Sequence, residues 1–218
     1  MEKEKATHAE LTNPADGPGP FRLIATLGLA GFLSGACLVG AFLYTQPLIQ
    51  AARARAMEAA IYEVLPGCKR FEGLTLSGGQ LLPSKAGTSE NRVFAGYDGE
   101  GKLIGYAIES GISGFQDVIN GLFGYVPQTR TIVGLKILES RETPGLGDKI
   151  FKDAEFAENF KDLQVEPEIR LVKKGEKQNP NEVDAITGAT ISSKAVVGLL
   201  NNGVGKWQKV LERPATGK

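Results

Sequence analysis

Hydrophobic and polar positions change their period along this chain, and each change predicts a different element. From Leu23 to Tyr44 runs an uncharged stretch, LIATLGLAGFLSGACLVGAFLY. At about 1.5 Å per residue it makes a helix of roughly 33 Å, enough to cross the hydrocarbon core of a bilayer. The only small-residue sites that follow, Ala52-Arg53-Ala54 and Ala54-Arg55-Ala56, carry arginine in the middle. The apolar run is also longer than a cleaved leader needs. A retained transmembrane anchor over residues 21–49 is therefore expected. Gln50 to Leu65, QAARARAMEAAIYEVL, is rich in helix formers and stops at Pro66-Gly67, which predicts a stalk helix over 50–65.

Beyond Pro66 the period falls to two. Arg92–Tyr97 and Lys102–Glu109 flank Asp98-Gly99-Glu100-Gly101, the pattern of a β-hairpin. Thr129–Leu138 and Glu168–Val172 read as further strands. The helical period returns twice. Lys149–Lys161 has Phe156 and Phe160 four apart on one face. Ser192–Glu212 carries Val196, Val197, Leu199, Leu200, Val204, Trp207 and Leu211 on its apolar side. Gly198, Gly203 and Gly205 weaken that last helix, so it is expected to be packed against the rest of the fold. The stretch Gln116–Gln128 (QDVINGLFGYVPQ) is apolar enough to be a docking loop, a buried loop or a strand. Together these elements predict one α+β domain over 66–213 behind a single N-terminal transmembrane helix. Polar segments lie at 1–20, expected to be disordered, and at 214–218.

Composition narrows the chemistry. Lys+Arg and Asp+Glu both number 25, giving zero net charge. No basic surface is expected to displace counterions from a nucleic acid. The one histidine, His8, lies in the polar N-terminal segment, which removes Ser-His-Asp catalysis and His-ligated zinc or haem from the folded domain. Two cysteines, Cys37 and Cys68, are too few for a Cys-ligated iron–sulfur cluster. Redox chemistry here needs a cofactor held by other means. Gly31 and Gly35 form a GxxxG within the anchor, which either lets membrane helices approach closely or reflects the general frequency of glycine there. Lys3, Lys5 and Arg22 before the span balance Arg53 and Arg55 after it, so charge bias does not orient the chain.

Three glycine-bearing segments are candidates for a site. Asp184-Ala-Ile-Thr187-Gly188-Ala189-Thr190-Ile191-Ser192-Ser193 feeds four hydroxyls into a helix N-terminus, where free N–H groups and the helix dipole suit a phosphate. The ordinary alternative is that Thr190, Ser192 or Ser193 is simply an N-cap. Glu142-Thr143-Pro144-Gly145-Leu146-Gly147 combines a Pro-Gly turn with a glycine that lets backbone approach a ligand. Ser110-Gly111-Ile112-Ser113-Gly114-Phe115 reads as a glycine-rich exit from the preceding strand, with a bulge or turn as its bland alternative.

Taken together, the segments resemble the FMN-binding domain family. Asp184-x-x-Thr187-Gly188-Ala189-Thr190-x-Ser192 resembles that family's flavinylation motif, D-x-x-[ST]-G-A-T-x-[ST], and Glu142–Gly147 resembles its second signature. A single membrane helix followed by this domain is similar to the G subunit of Rnf-type electron-transport complexes, sister to the C subunit of sodium-pumping NADH:quinone reductase. The resemblance implies FMN held by a phosphoester to Ser192, with Ser193 as a second candidate. It places Thr187, Gly188, Ala189 and Thr190 around the phosphate. Glu142, Thr143, Gly145, Leu146 and Gly147, with Gly114 and Phe115, would approach the ring system.

It further implies a separate flavin transferase using FAD as donor, with Asp184 as a recognition point, and the other Rnf subunits as partners. No catalytic or metal-binding residues and no turnover by the subunit alone are expected. The FMN domain would lie outside the cytoplasmic membrane, leaving residues 1–20 on the cytoplasmic side. The whole complex would couple ferredoxin:NAD+ electron transfer to Na+ or H+ movement. Two other readings remain open: a stand-alone membrane-anchored flavoprotein reductase and a non-catalytic anchored assembly protein.

Overall fold

The computed structural model describes residues 19–77, 80–84 and 92–212. Residues 1–18 of the N-terminal segment, His8 included, and the final 213–218 lie outside the described residues. The elements run α1 (Pro20–Val64), β1 (Arg70–Ser77), β2 (Gln80–Pro83), β3 (Arg92–Tyr97), β4 (Leu103–Ser113), β5 (Val118–Val126) and β6 (Thr131–Glu139). Then follow α2 (Lys149–Lys152), α3 (Ala154–Glu158), β7 (Leu163–Gln164), β8 (Arg170–Val172), β9 (Glu182–Asp184) and α4 (Thr190–Leu211). The chain divides into two compact units at Ala52/Arg53.

The first unit holds most of α1, whose apolar N-terminal portion is long enough to cross a membrane and is not buried. Anchor and stalk are one continuous helix that includes Pro47. Proline removes one backbone donor there, and the rest of the ladder continues past it.

In the second unit, seven strands form an antiparallel sheet in the order β2-β1-β3-β4-β5-β6-β7, and β8 and β9 make a separate parallel pair. Strand side chains alternate between faces, and two cores result. Val93, Ile108 and Phe123 share one core with Val196, Leu199, Leu200, Val204 and Trp207 of α4. Their neighbours Phe94, Ala107 and Leu122 share the other with Ala60, Ile61, Val64 and Leu65 at the end of α1. Helix α4 packs on β4 and β5. Gly203 permits this approach, since a Cβ there would meet the Phe123 ring at 2.6 Å.

Several expectations change in detail. The hairpin over β3 and β4 forms around Asp98, whose side chain accepts the Glu100 and Lys102 N–H groups. β4, however, runs on to Ser113, so most of the expected glycine-rich exit is strand. Gln116–Gln128 resolves to β5, a central strand buried along most of its length, which accounts for its apolar run. The single helix expected over 149–161 is broken at Asp153. That residue is extended (φ −86, ψ 111) and its side chain accepts the Glu155 N–H, starting α3 afresh. Phe156 and Phe160 still meet edge to face, their centroids 5.0 Å apart.

Candidate functional site

Two of the three candidate segments contain a tight turn, and the third leads into one. The Thr143 carbonyl accepts the Leu146 N–H at 3.2 Å, with Gly145 at φ +79. The Ile186 carbonyl accepts the Ala189 N–H at 3.0 Å, with Gly188 at φ +83. Both are β-turns with glycine in the third position, where a left-handed residue is required. The third turn joins β4 to β5, the Asp117 carbonyl accepting the Gly114 N–H at 2.8 Å.

Glu142 ties these turns together. It is buried at 5% exposure. Its Oε1 accepts the N–H groups of Phe115 (2.8 Å) and Gln116 (3.2 Å), and its Oε2 accepts the Ser192 hydroxyl at 2.6 Å. The Gln116 side chain adds a bond to Thr143 Oγ1 at 3.1 Å, and Ser140 Oγ accepts the Glu142 N–H. Gly147 and Gly114 are explained by this carboxylate. A Cβ on Gly147 would meet Glu142 Oε2 at 2.7 Å and Ser192 Oγ at 2.9 Å, and one on Gly114 would strike Glu142 Oε1. The sequence motifs do not single out Gln116, Ser140 or the apolar Ile191. Only their adjacency to Phe115, Glu142 and Ser192 signals them.

The first turn of α4 departs from the ordinary N-cap alternative. Its N-cap residue is Ala189, and no side chain among the described residues caps the helix. The leading N–H groups of a 22-residue helix are thus left without a side-chain acceptor. The hydroxyls divide into two classes. Ser193 is fully buried, accepting the Ile186 N–H at 3.1 Å and donating to the Ala189 carbonyl at 3.0 Å. Ser192 is 3% exposed and bonded to Glu142. Thr187 and Thr190 are exposed.

The expected site residues fall into matching groups. Thr187, Gly188, Thr190, Gly145, Leu146 and Phe115 are open to solvent, whereas Ala189, Ser192, Glu142 and Gly147 are buried. Thr143 and Gly114 are intermediate. Outside α1, the most exposed large apolar side chains among the described residues are Phe115 at 62% and Ile191 at 59%, followed by Leu146 and Leu82 at 49% each. Phe115, Ile191 and Leu146 belong to the segments that Glu142 and the Leu146–Gly188 contact bring together.

Charge is arranged around the site's edge. Asp148, directly after Gly147, is buried and bonded to Lys152 Nζ at 2.6 Å, which holds its carboxyl below the usual carboxylate range. A cavity of about 330 Å³ borders Thr187 and is lined by Lys149, Lys174 and Lys177 together with Asp153, Glu155 and Asp184. Asp184 is engaged at its edge, accepting the Gly175 N–H at 3.0 Å.

Known proteins resemble this chain in sequence and fold. Residues 114–205 match the FMN-binding domain model, a span that takes in all three turns. The G subunit of an ion-translocating oxidoreductase complex from Methanosarcina acetivorans is 33% identical over 183 residues, covering 84% of this chain and 92% of that one. The G subunit of the Na+-translocating ferredoxin:NAD+ oxidoreductase complex of Acetobacterium woodii is 29% identical, covering 87% and 94%. Among solved structures, NqrC of Shewanella oneidensis superposes with a TM-score of 0.60 at 22% identity, covering 74% of this chain and 99% of that one. With the fold, the three turns and these relatives in agreement, the chain belongs to the family of G subunits of ion-translocating oxidoreductase complexes.

Proposed function

We propose that this chain is the membrane-anchored electron-carrier subunit of an ion-translocating oxidoreductase complex and works with FMN as its redox centre. The observation that carries the reading is the uncapped start of α4 beside three exposed apolar side chains. Unsatisfied N–H groups at the positive end of a helix favour an anionic phosphate. Phe115, Leu146 and Ile191 offer apolar surface to a flat ring system nearby. The residues present therefore fit FMN in both charge and polarity. When bound, FMN supplies transfer of one or two electrons.

The attachment belongs to the same proposal. The motif register points to Ser192, but its hydroxyl is buried and donates to Glu142. Esterification there would require breaking that bond and opening the packed turn. Thr190 is the first residue of α4 and is exposed, and its hydroxyl has no hydrogen bond among the described residues. The exposure supports Thr190 as the acceptor. With FAD as donor and a flavin transferase as catalyst, the threonine oxygen bonds to the FMN phosphorus. The pyrophosphate bond breaks, AMP leaves, and the transferase takes up the hydroxyl proton.

Partners follow from the relatives. The carrier would exchange electrons with other subunits of an Rnf-type complex that couples ferredoxin:NAD+ electron transfer to Na+ or H+ movement. Its α1 would make it a single-pass protein of the cytoplasmic membrane, with the FMN domain on the extracytoplasmic side. A covalent tether suits that side, where free FMN is not at hand to refill a site. Intact mass with peptide mapping, on chain made in a host carrying the transferase, tests the reading. A gain of FMN less water on Thr190 supports it, and an unmodified chain contradicts it.

A further inference from the structure

We propose that Glu142 is a positioning residue that sets the flavin site from below and does not contact the flavin. The inference rests on the FMN reading above. Both carboxylate oxygens already have partners within the protein: Phe115 N and Gln116 N on Oε1, Ser192 Oγ on Oε2. The group is 95% buried, and no lysine or arginine pairs with it among the described residues. Two backbone N–H groups and one hydroxyl therefore compensate its charge, and charge-assisted bonds of this kind are the stronger ones.

The three partners belong to segments 27 and 50 residues away in sequence. One carboxylate thus holds the Phe115 turn, the Leu146 turn and the start of α4 in a common register. Because Gly114 and Gly147 yield their Cβ space to it, the turns close directly over the carboxyl group. Ser192 then serves as the lock on the helix side, which gives its burial a purpose. Removing the carboxylate strands two donors and lets Phe115 and Leu146 move independently of Thr190. Glutamine preserves most of the lock: its amide oxygen accepts the two N–H groups, and its NH2 donates to a reoriented Ser192 hydroxyl.

The test uses the full chain in detergent, produced with a flavin transferase, as wild type, Glu142→Ala and Glu142→Gln. Amide hydrogen exchange at Phe115 and Gln116 reads the lock without needing flavin, and visible circular dichroism reads how the bound flavin is held. In Glu142→Ala, exchange at both amides should quicken at least tenfold and the flavin dichroism should collapse, while Glu142→Gln keeps both near wild type. Wild-type exchange rates and dichroism in Glu142→Ala would overturn the proposal. If Glu142→Ala does not fold, Ser192→Ala takes its place, with faster exchange and weakened dichroism expected and no change in either contradicting the lock. A wild-type chain that never acquires flavin would overturn the FMN reading and this inference's bearing on flavin. Amide exchange would still decide separately whether the lock exists.

Discussion

Leu146 Cδ2 lies 3.7 Å from the point where Gly188 would carry a Cβ, so the tips of two glycine turns touch although their residues are 42 apart in sequence. One turn is the proposed approach to the ring system and the other leads into the proposed phosphate site. On the proposed reading, their contact would bring the ring and phosphate ends of one nucleotide's surroundings close together.

Substitution at Gly188 should damage the site through backbone conformation. Its φ of +83 is one that L-residues adopt at a cost of about 1–2 kcal/mol. A Cβ there finds only the Leu146 side chain, in ordinary contact. Gly188→Ala should therefore fold with a modestly lowered denaturation midpoint and a larger relative loss of covalent flavin. Urea melts and in-gel flavin fluorescence measure the two effects separately.

Gly147→Ala should be more severe because the space is already taken. The new methyl would lie 2.7–2.9 Å from Glu142 Oε2 and Ser192 Oγ. Overpacking of this kind costs about 1–3 kcal/mol, and relief requires the Ser192–Glu142 bond to open. Urea unfolding should show the stability loss, and faster amide exchange at Phe115 should accompany it.

Ser193→Ala distinguishes a structural hydroxyl from a functional one. Ser193 Oγ accepts the buried Ile186 N–H, and stranding that donor should cost about 1–3 kcal/mol. Flavin stoichiometry per folded chain should remain at the wild-type level. Thermal melts together with mass spectrometry check both halves.

The Asp148–Lys152 pair predicts a pH dependence of definite sign. The folded carboxyl is held below its ordinary value, chiefly by its hydrogen bond to the Lys152 ammonium. Its contribution is therefore present above the carboxyl's unfolded pKa and is lost as pH falls through the folded one. Asp148→Asn should be less stable than wild type at pH 7, and the gap should close as the pH drops below about 4. Urea melts at pH 7, 5 and 3 follow it.

What could be read in advance follows from how each element is buried. Helix α4 buries one face, so its period of 3.6 stands out in the sequence, whereas β3 and β4 bury residues on both faces and are marked by the Asp98-Gly99-Glu100-Gly101 turn between them. β5 is covered on both faces and loses its alternation, so the sequence period there does not separate a strand from a docking or buried loop. The break at Asp153 depends on one side chain capping a new helix, and β7 and β9, two and three residues long, are too short to show a period. The three site segments were legible as motifs. The convergence of Phe115, Gln116 and Ser192 on Glu142 was not, because it is a tertiary contact. The exposure of Thr190 against the burial of Ser192 depends on where α4 starts. Two residues apart on a helix, they point about 200° from one another, and a register read without the helix start cannot say which faces solvent.

The central claim is a flavin carrier tethered at the open start of α4. Its most direct test is peptide-mapped mass spectrometry of the wild type, Thr190→Ala and Ser192→Ala, each expressed with a flavin transferase. The expected result is FMN less water on the peptide containing Thr190 in the wild type, still present in Ser192→Ala and absent from Thr190→Ala. Modification that persists in Thr190→Ala and vanishes in Ser192→Ala would contradict the assignment of the acceptor, and no modification in any of the three would contradict the tethered carrier itself.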